Sequence, residues 1–163
     1  MAALIRPRSD TDLPACVGAL RATHDASGYP AVWPRDPVRW LTSRGRDVRA
    51  WVAADDGAVV GHVALGHEDE TTGTGTVPSL AVTRLFVAPA ARGHGVGAAL
   101  LTTAVDFARA NASRPVLTVA DTGRAAIRLY ERAGWRRIAE RRADWQEPDG
   151  RIPAVFDYVL DPS

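Results

Sequence analysis

The stretch Thr83-Arg84-Leu85-Phe86-Val87-Ala88-Pro89-Ala90-Ala91-Arg92-Gly93-His94-Gly95-Val96-Gly97-Ala98 decides how the chain folds. Its first five residues predict the end of a β-strand. From Gly95 to about Asn111 the pattern turns helical, with Val96, Leu100, Ala104 and Ala108 repeating every four residues. Between the two, Gly93, Gly95 and Gly97 leave the backbone bare of Cβ atoms, so successive N–H groups can turn toward one anion at the head of the helix. The helix dipole adds roughly 0.3 to 1 kcal/mol for an exposed charge. The run predicts a cradle for a diphosphate.

Working outward, Ala3 to Arg8 reads as a first strand. Ser9 to Asp12 supplies capping residues for a helix that opens at Pro14 and runs to about His24. Three prolines break Gly28 to Pro37 into a loop, and a short helix follows through Trp40. Arg49 to Ala54 and Ala58 to His67 form a hairpin around Asp55-Asp56-Gly57. Glu68 to Pro78 reads as an exposed, mobile loop. Leu80 to Val87, Pro115 to Asp121, Trp135 to Ala143 and Ala154 to Leu160 are strands, with a helix from about Thr122 to Ala133. The order is β-α-α-β-β-β-α-β-α-β-β, without a repeat or a domain linker, and residues 1–163 are expected to be one domain.

Composition narrows the function. With 163 residues and 46% hydrophobic content, a sizeable core is possible without staples. A net charge of +1 argues against nucleic acid as the main partner, since phosphate binding needs a concentrated basic face. All 20 basic residues are arginine, which excludes Schiff-base chemistry and a lysine nucleophile. Cys16 is the only cysteine, so neither an internal disulfide nor a cysteine-built metal cage can form, and it reads as a small buried apolar residue. No metal site is expected. Nowhere do about 18 apolar residues run together, so the expectation is a cytoplasmic protein without a membrane partner.

Three readings compete for the glycine run. Gly93-x-Gly95-x-x-Ala98 satisfies the dinucleotide pattern, and Asp121 ends the next strand, where a ribose-binding acid would sit. Against it, five residues separate Val87 from the first glycine, and hairpins rather than a doubly wound sheet fill both ends. A Walker-type loop fails because no lysine follows the glycines. A turn that only packs helix on strand needs fewer glycines and no arginine.

The residues resemble the GNAT superfamily of acyl-CoA-dependent N-acetyltransferases. The family loop, Arg/Gln-x-x-Gly-x-Gly/Ala, is matched by Arg92, Gly95 and Gly97, and its preceding strand is similar to Arg84-Leu85-Phe86-Val87-x-Pro89. Its later helix is similar to Ala126-Ile127-Arg128-Leu129-Tyr130-Glu131-Arg132-Ala133-Gly134-Trp135. The resemblance is specific from Leu80 to Trp135. It implies an α/β (α+β) fold: one mixed, mostly antiparallel sheet of about seven strands, splayed in the middle and flanked by about four helices.

The resemblance also implies roles. Acetyl-CoA would be the cosubstrate, its diphosphate held by main-chain groups of Arg92, Gly93, His94, Gly95, Val96, Gly97 and Ala98. Leu85, Phe86 and Val87 would line the pantetheine arm, with the Val87 amide polarising the thioester carbonyl. Tyr130 would protonate the departing sulfur. Gly123 stands where the family often carries an asparagine, so that contact would be lost, or replaced by Thr122 or by backbone. The ring of His94 is expected in solvent, and Arg124, Arg128 and Arg132 read as a solvated helix face.

The acceptor half is less defined. An alkylamine is almost wholly protonated at pH 7, so a group must take its proton before attack. Leu80 to Val87 holds no carboxylate, and by position the candidates are His67, Glu68, Asp69 and Asp144, or a chain of water. Tyr29 and Trp33, with Glu68, are expected at the acceptor site; Trp40 reads equally well as pocket or core, and Trp51 as core. The expected activity is transfer of an acetyl group to the primary amine of a small molecule or peptide in a ternary complex. A non-catalytic acyl-CoA-binding module of the same fold is the alternative. Trp145, Ile152, Val155 and Phe156 on the last hairpin offer a surface for a homodimer.

Overall fold

Asp56 and Gly57 both take positive φ, 51° and 83°, the conformation that closes a tight two-residue hairpin. They join β2 (Asp47–Asp55) to β3 (Ala58–Gly66) in the computed structural model, which describes residues 3–67 and 78–162. The segment 68–77, including Glu68 and Asp69, lies outside the described residues. The remaining strands are β1 (Leu4–Pro7), β4 (Ser79–Val87), β5 (Arg114–Ala120), β6 (Arg136–Arg142) and β7 (Ala154–Val159). The helices are α1 (Leu13–Ser27), α2 (Pro37–Leu41), α3 (Val96–Ala110) and α4 (Arg124–Arg132). The element order is the one read from the sequence. α1 runs to Ser27, past the expected His24, because Gly28 at φ 73° supplies the left-handed stop.

All seven strands form one sheet in the order β1-β2-β3-β4-β5-β7-β6. Every neighbouring pair is antiparallel except β4 and β5. Two apolar layers cover it. On one face α3 buries Val96, Leu100, Leu101, Ala104 and Ala108 against Trp51, Val63, Leu65 and Val82. On the other, α1 buries Cys16, Ala19 and Leu20 against Val52 and Phe86. β3 is covered on both faces, which is why its run from Gly61 to Gly66 is wholly buried. Gly61 allows the close approach of α3: a Cβ there would stand 2.9 Å from Leu100 Cδ1 and 3.2 Å from the Phe86 carbonyl oxygen.

The parallel pair is short. Ser79, Leu80 and Ala81 pair with Arg114, Pro115 and Val116; beyond them β5 stays with β7 and β4 with β3. Arg84 has a left-handed φ of 51°, and the β3–β4 register slips between His62 and Ala64. An extra residue inserted on one strand bends that strand and increases its twist. The bulge therefore steers the rest of β4 away from β5.

His62 fixes the bulge. It is fully buried and stacks on Phe86, with ring centroids 5.3 Å apart at 14°. Arginine can only donate and a carbonyl can only accept, so the ring contacts define its tautomer: Nε2 accepts from Arg8 Nη1 at 2.9 Å, and Nδ1–H donates to the Arg84 carbonyl at 2.9 Å. Burial lowers the His62 pKa to about 4, with the Arg84 carbonyl opposing and the Arg8 and Arg84 charges assisting.

Two stability measurements follow. Leu100 is fully buried, so Leu100→Ala should cost about 2–5 kcal/mol in urea unfolding at pH 7. His62 is neutral when folded but binds a proton below about 6.5 when unfolded. Its contribution is complete above that pH and is lost as pH falls toward 4, a change on the order of 3 kcal/mol. Unfolding at pH 7 and 4.5 should show wild type losing more stability between the two than His62→Gln; parallel losses would remove His62 as the cause.

Candidate active site

The site is built around the parting of β4 and β5. Ala88 N–H donates to the Val60 carbonyl at 2.8 Å, and strand alternation turns the N–H and C=O of Val87 the other way, toward the gap. The Val87 carbonyl accepts from Arg92 Nε at 3.2 Å, while Arg92 Nη2 donates to Ser27 Oγ at 3.0 Å. Phe86 sends its side chain into the α1 layer, and the same alternation turns its N–H and C=O toward β3, away from the gap.

After a short turn over Pro89–Ala91, Gly93 and Gly95 take φ of 81° and 77°, and nothing lies within 4 Å of a Cβ placed on either. Ala99 makes the first helical bond, to the Gly95 carbonyl at 3.0 Å. The N–H groups of Val96, Gly97 and Ala98 precede it and have no helical acceptor. A Cβ on Gly97 would stand 3.4 Å from Leu129 Cδ2, so α3 meets α4 closely at that level. The bare loop, the unpaired amides and the helix N-terminus together fit a diphosphate.

Tyr130 projects from α4 and is 6% exposed, its ring 5.9 Å from Trp135 and 6.4 Å from Tyr158. Burial pushes its hydroxyl pKa well above the usual tyrosine range, and the nearby Tyr29 hydroxyl adds to this. Tyr29 is likewise raised to about 12 by burial, with the Arg84 guanidinium opposing. Tyr29 is 37% exposed as a residue, so its ring edge reaches the surface while the hydroxyl end is desolvated. Both hydroxyls hold their protons at neutral pH.

A cavity of about 450 Å³ opens at the parting, lined by Tyr29, Trp40, Asp47, Thr83, Arg84 and Leu117 among others. The Arg84 guanidinium lies 4.7 Å above the Trp40 ring and donates from Nε to the Trp40 carbonyl at 2.6 Å. Tyr29 meets Trp40 edge-on at 6.0 Å. Trp40 is therefore a cavity wall whose other side packs on the α1 layer.

Trp33 stands elsewhere, against α1, 5.5 Å from His24 and beneath Arg21 at 4.8 Å, outside the cavity lining. His67 is an exposed rim residue and Asp144 is exposed away from the lining. His94, Arg124, Arg128 and Arg132 are exposed. Asp121 pairs with Arg151 at 2.6 Å and accepts from Ala154 N–H at 3.2 Å. A Cβ on Gly123 would stand 3.0 Å from Val119 Cγ2 and 3.2 Å from the Ala120 carbonyl oxygen, so an asparagine there would need these neighbours to give by a few tenths of an ångström. Cys16 is fully buried outside the lining, its thiol pushed up to about 11 by burial. No group of three metal-ligating residues occurs among the described residues, and no described helix is long and apolar enough to cross a membrane.

Asp47, Thr83 and Arg84 share the cavity, yet the sequence reading places none of the three in the acceptor site. The available signal was Arg84, a charge set within an otherwise apolar strand, a position seldom occupied without a partner or a function.

Known proteins agree with this geometry. The chain is 32% identical over 146 residues to an L-methionine sulfoximine/L-methionine sulfone acetyltransferase of Pseudomonas paraeruginosa, covering 83% of this chain and 81% of that protein, and matches the Pseudomonas aeruginosa enzyme equally. The crystal structure of a ribosomal-protein-alanine N-acetyltransferase from Brucella melitensis superposes with a TM-score of 0.76 at 26% identity, covering 98% of this chain and 99% of that one. An acetyltransferase from Salmonella typhimurium, solved with its cofactor acetyl-CoA, has the same fold at a TM-score of 0.74 and 23% identity, covering 99% and 94%. The sequence model of the acetyltransferase (GNAT) family matches residues 19–135. With its splayed sheet and its glycine loop at the head of α3, the chain belongs to the GNAT family and is an acetyl-CoA-dependent N-acetyltransferase.

Proposed function

We propose that the chain acetylates the amine of a small amino-acid-like acceptor by direct attack in a ternary complex. The observation that carries this reading is the Arg84 guanidinium in the cavity wall. Its Nε is committed to the Trp40 carbonyl, while its Nη atoms have no hydrogen-bond partner among the described residues. A guanidinium held over an indole with its Nη atoms unengaged can offer them to a carboxylate. The Pseudomonas relatives act on amino-acid analogues, which supports the same class here.

Main-chain groups of Arg92, Gly93, His94, Gly95, Val96, Gly97 and Ala98 hold the diphosphate. Leu85, Phe86 and Val87 receive the pantetheine arm as an added strand, for which Arg92 must release the Val87 carbonyl. Acetyl-CoA supplies an activated acyl group on a good leaving group. The Val87 amide donates to the thioester carbonyl, where negative charge develops. Tyr130, kept protonated by burial, gives its proton to the departing sulfur. Tyr29 and Trp40 wall the acceptor. The buried thiol of Cys16 suits a reducing cytoplasm, and of the last hairpin's expected homodimer surface Trp145 and Ile152 are exposed, whereas Val155 and Phe156 are buried in the core and drop out of it.

Free thiol is followed with acetyl-CoA and a panel of amines. L-Methionine sulfone and other amino acids should turn over, and the matching amines without a carboxylate should lose at least about tenfold in kcat/KM, as a removed charged hydrogen bond implies. Stabilisation by CoA with no turnover of any amine would contradict the reading, and a preference for peptide N-termini would contradict the small acceptor. Tyr130→Phe should lower kcat about 10- to 100-fold and leave the KM for acetyl-CoA nearly unchanged; unaltered kcat would remove Tyr130 from the chemistry.

A further inference from the structure

The site described above still needs a group to take the acceptor's proton. We infer that Asp47, at the start of β2, receives the acceptor ammonium and removes that proton. The inference rests on the acetyl-transfer reading and adds the residue that prepares the nucleophile.

The Asp47 side chain is 9% exposed and lines the cavity. Both of its carboxylate oxygens are buried without a hydrogen-bond partner among the described residues. The nearest cation is Arg8 Nη2 at 3.6 Å, too long for a hydrogen bond. Arg8 is already engaged through Nη1 with His62 Nε2 at 2.9 Å and the Leu41 carbonyl at 3.2 Å. Buried carboxylates are normally satisfied by donors. Asp47 lines the cavity with both oxygens covered from solvent and no donor among the described residues to fill them, so a turn of the side chain toward the cavity brings that acceptor capacity to a ligand.

A second orphan lies beside it. Thr83 Oγ1 is buried in the same lining without a partner, and the Arg84 Nη atoms are equally unengaged among the described residues. The lining thus includes a carboxylate, a hydroxyl and the outer edge of a guanidinium that have no hydrogen-bond partner among the described residues. Asp47 and Arg84 act on one another's charge, yet no ion pair joins them within 4.0 Å. An α-amino acid carries an ammonium and a carboxylate on one carbon, and so can complete both groups at once. The other charged or titratable groups around Asp47 are Arg8 just after β1, Arg46 beside it, His67 just after β3, Arg84 from β4 and Arg141 from β6, with the neutral His62 ring behind Arg8.

The step balances as follows. One ammonium proton passes to an Asp47 oxygen and leaves through the open cavity to water. The freed nitrogen pair attacks the thioester carbon; a C–N bond forms and the C–S bond breaks. The second nitrogen proton replaces the one that Tyr130 gives to sulfur. The products are an amide, a thiol and one proton in solution.

The test is Asp47→Asn, assayed with acetyl-CoA and L-methionine sulfone from pH 6 to 9. The expected result is a kcat/KM at pH 7 lower by about 100-fold, recovered progressively toward pH 9 as the amine loses its own proton, with CoA affinity and melting temperature near wild type. Activity within threefold of wild type at pH 7, or an equal deficit at every pH, would overturn it. If the asparagine variant does not fold, Asp47→Glu carries the test: at least a tenfold lower kcat/KM with an unchanged KM for acetyl-CoA supports the role, and wild-type rates overturn it. If wild type acetylates no amine, the transfer reading fails on its own and Asp47 is judged by calorimetry of L-methionine sulfone on the CoA complex. Binding by wild type that Asp47→Asn abolishes supports the ammonium site; no binding by wild type overturns it.

Discussion

A parallel strand pair that ends at Ala81 and Val116 leaves the following main-chain groups of β4 and β5 without each other, and backbone N–H and C=O groups tolerate such separation only where something else can pair with them. The rest of the site depends on that parting. Twist accumulated at the Arg84 bulge separates the strands, and His62 holds the bulge by its carbonyl. One side of the opening meets the bare glycine loop and the N-terminus of α3. The other meets the walls built from Tyr29 and Trp40. A diphosphate-bearing cosubstrate and an amine can therefore approach from opposite sides and meet in the gap. Holding both reactants in line is itself a large part of the acceleration open to such a site.

Burial makes the chemistry selective. Tyr130 and Tyr29 keep their protons because their hydroxyls are desolvated, and His62 stays neutral for the same reason. The neutral ring suits its place between two arginines, Arg8 and Arg84. Charge is reserved for the cavity, where Asp47 and Arg84 stand in the same lining without pairing. A low-dielectric wall strengthens whatever those charges meet.

The proposed cosubstrate half is made of local patterns, which is why its loop and helix were legible in the sequence. Gly93, Gly95 and Gly97 next to an amphipathic helix define a loop whose geometry follows from the absence of side chains, and the glycines do take the left-handed φ that favours them at 93 and 95. Tyr130 came from a helix motif of ten contiguous residues. The proposed acceptor half is assembled from distant pieces: Tyr29 after α1, Asp47 at the start of β2 and Arg84 on the bulge. Their meeting depends on sheet register, which no local spacing encodes. Trp33 shows the same limit from the other side, since its position in an aromatic loop suggested the pocket, whereas the loop turns it against α1. His62 passed unnoticed because a histidine in an apolar strand gives no hint that two arginines will fix its tautomer.

Amide exchange at two adjacent residues tests the central claim, that the open edge of β4 accepts the cosubstrate as an added strand. Ala88 N–H is bonded to Val60 in the sheet, whereas Val87 N–H faces the gap. The account predicts that Val87 exchanges faster than Ala88 in the free protein and slows by at least about tenfold at saturating acetyl-CoA, since an amide newly bonded to ligand opens only when the ligand leaves, while Ala88 changes little. Val87 exchange unaltered by acetyl-CoA, with protection appearing elsewhere, would contradict it.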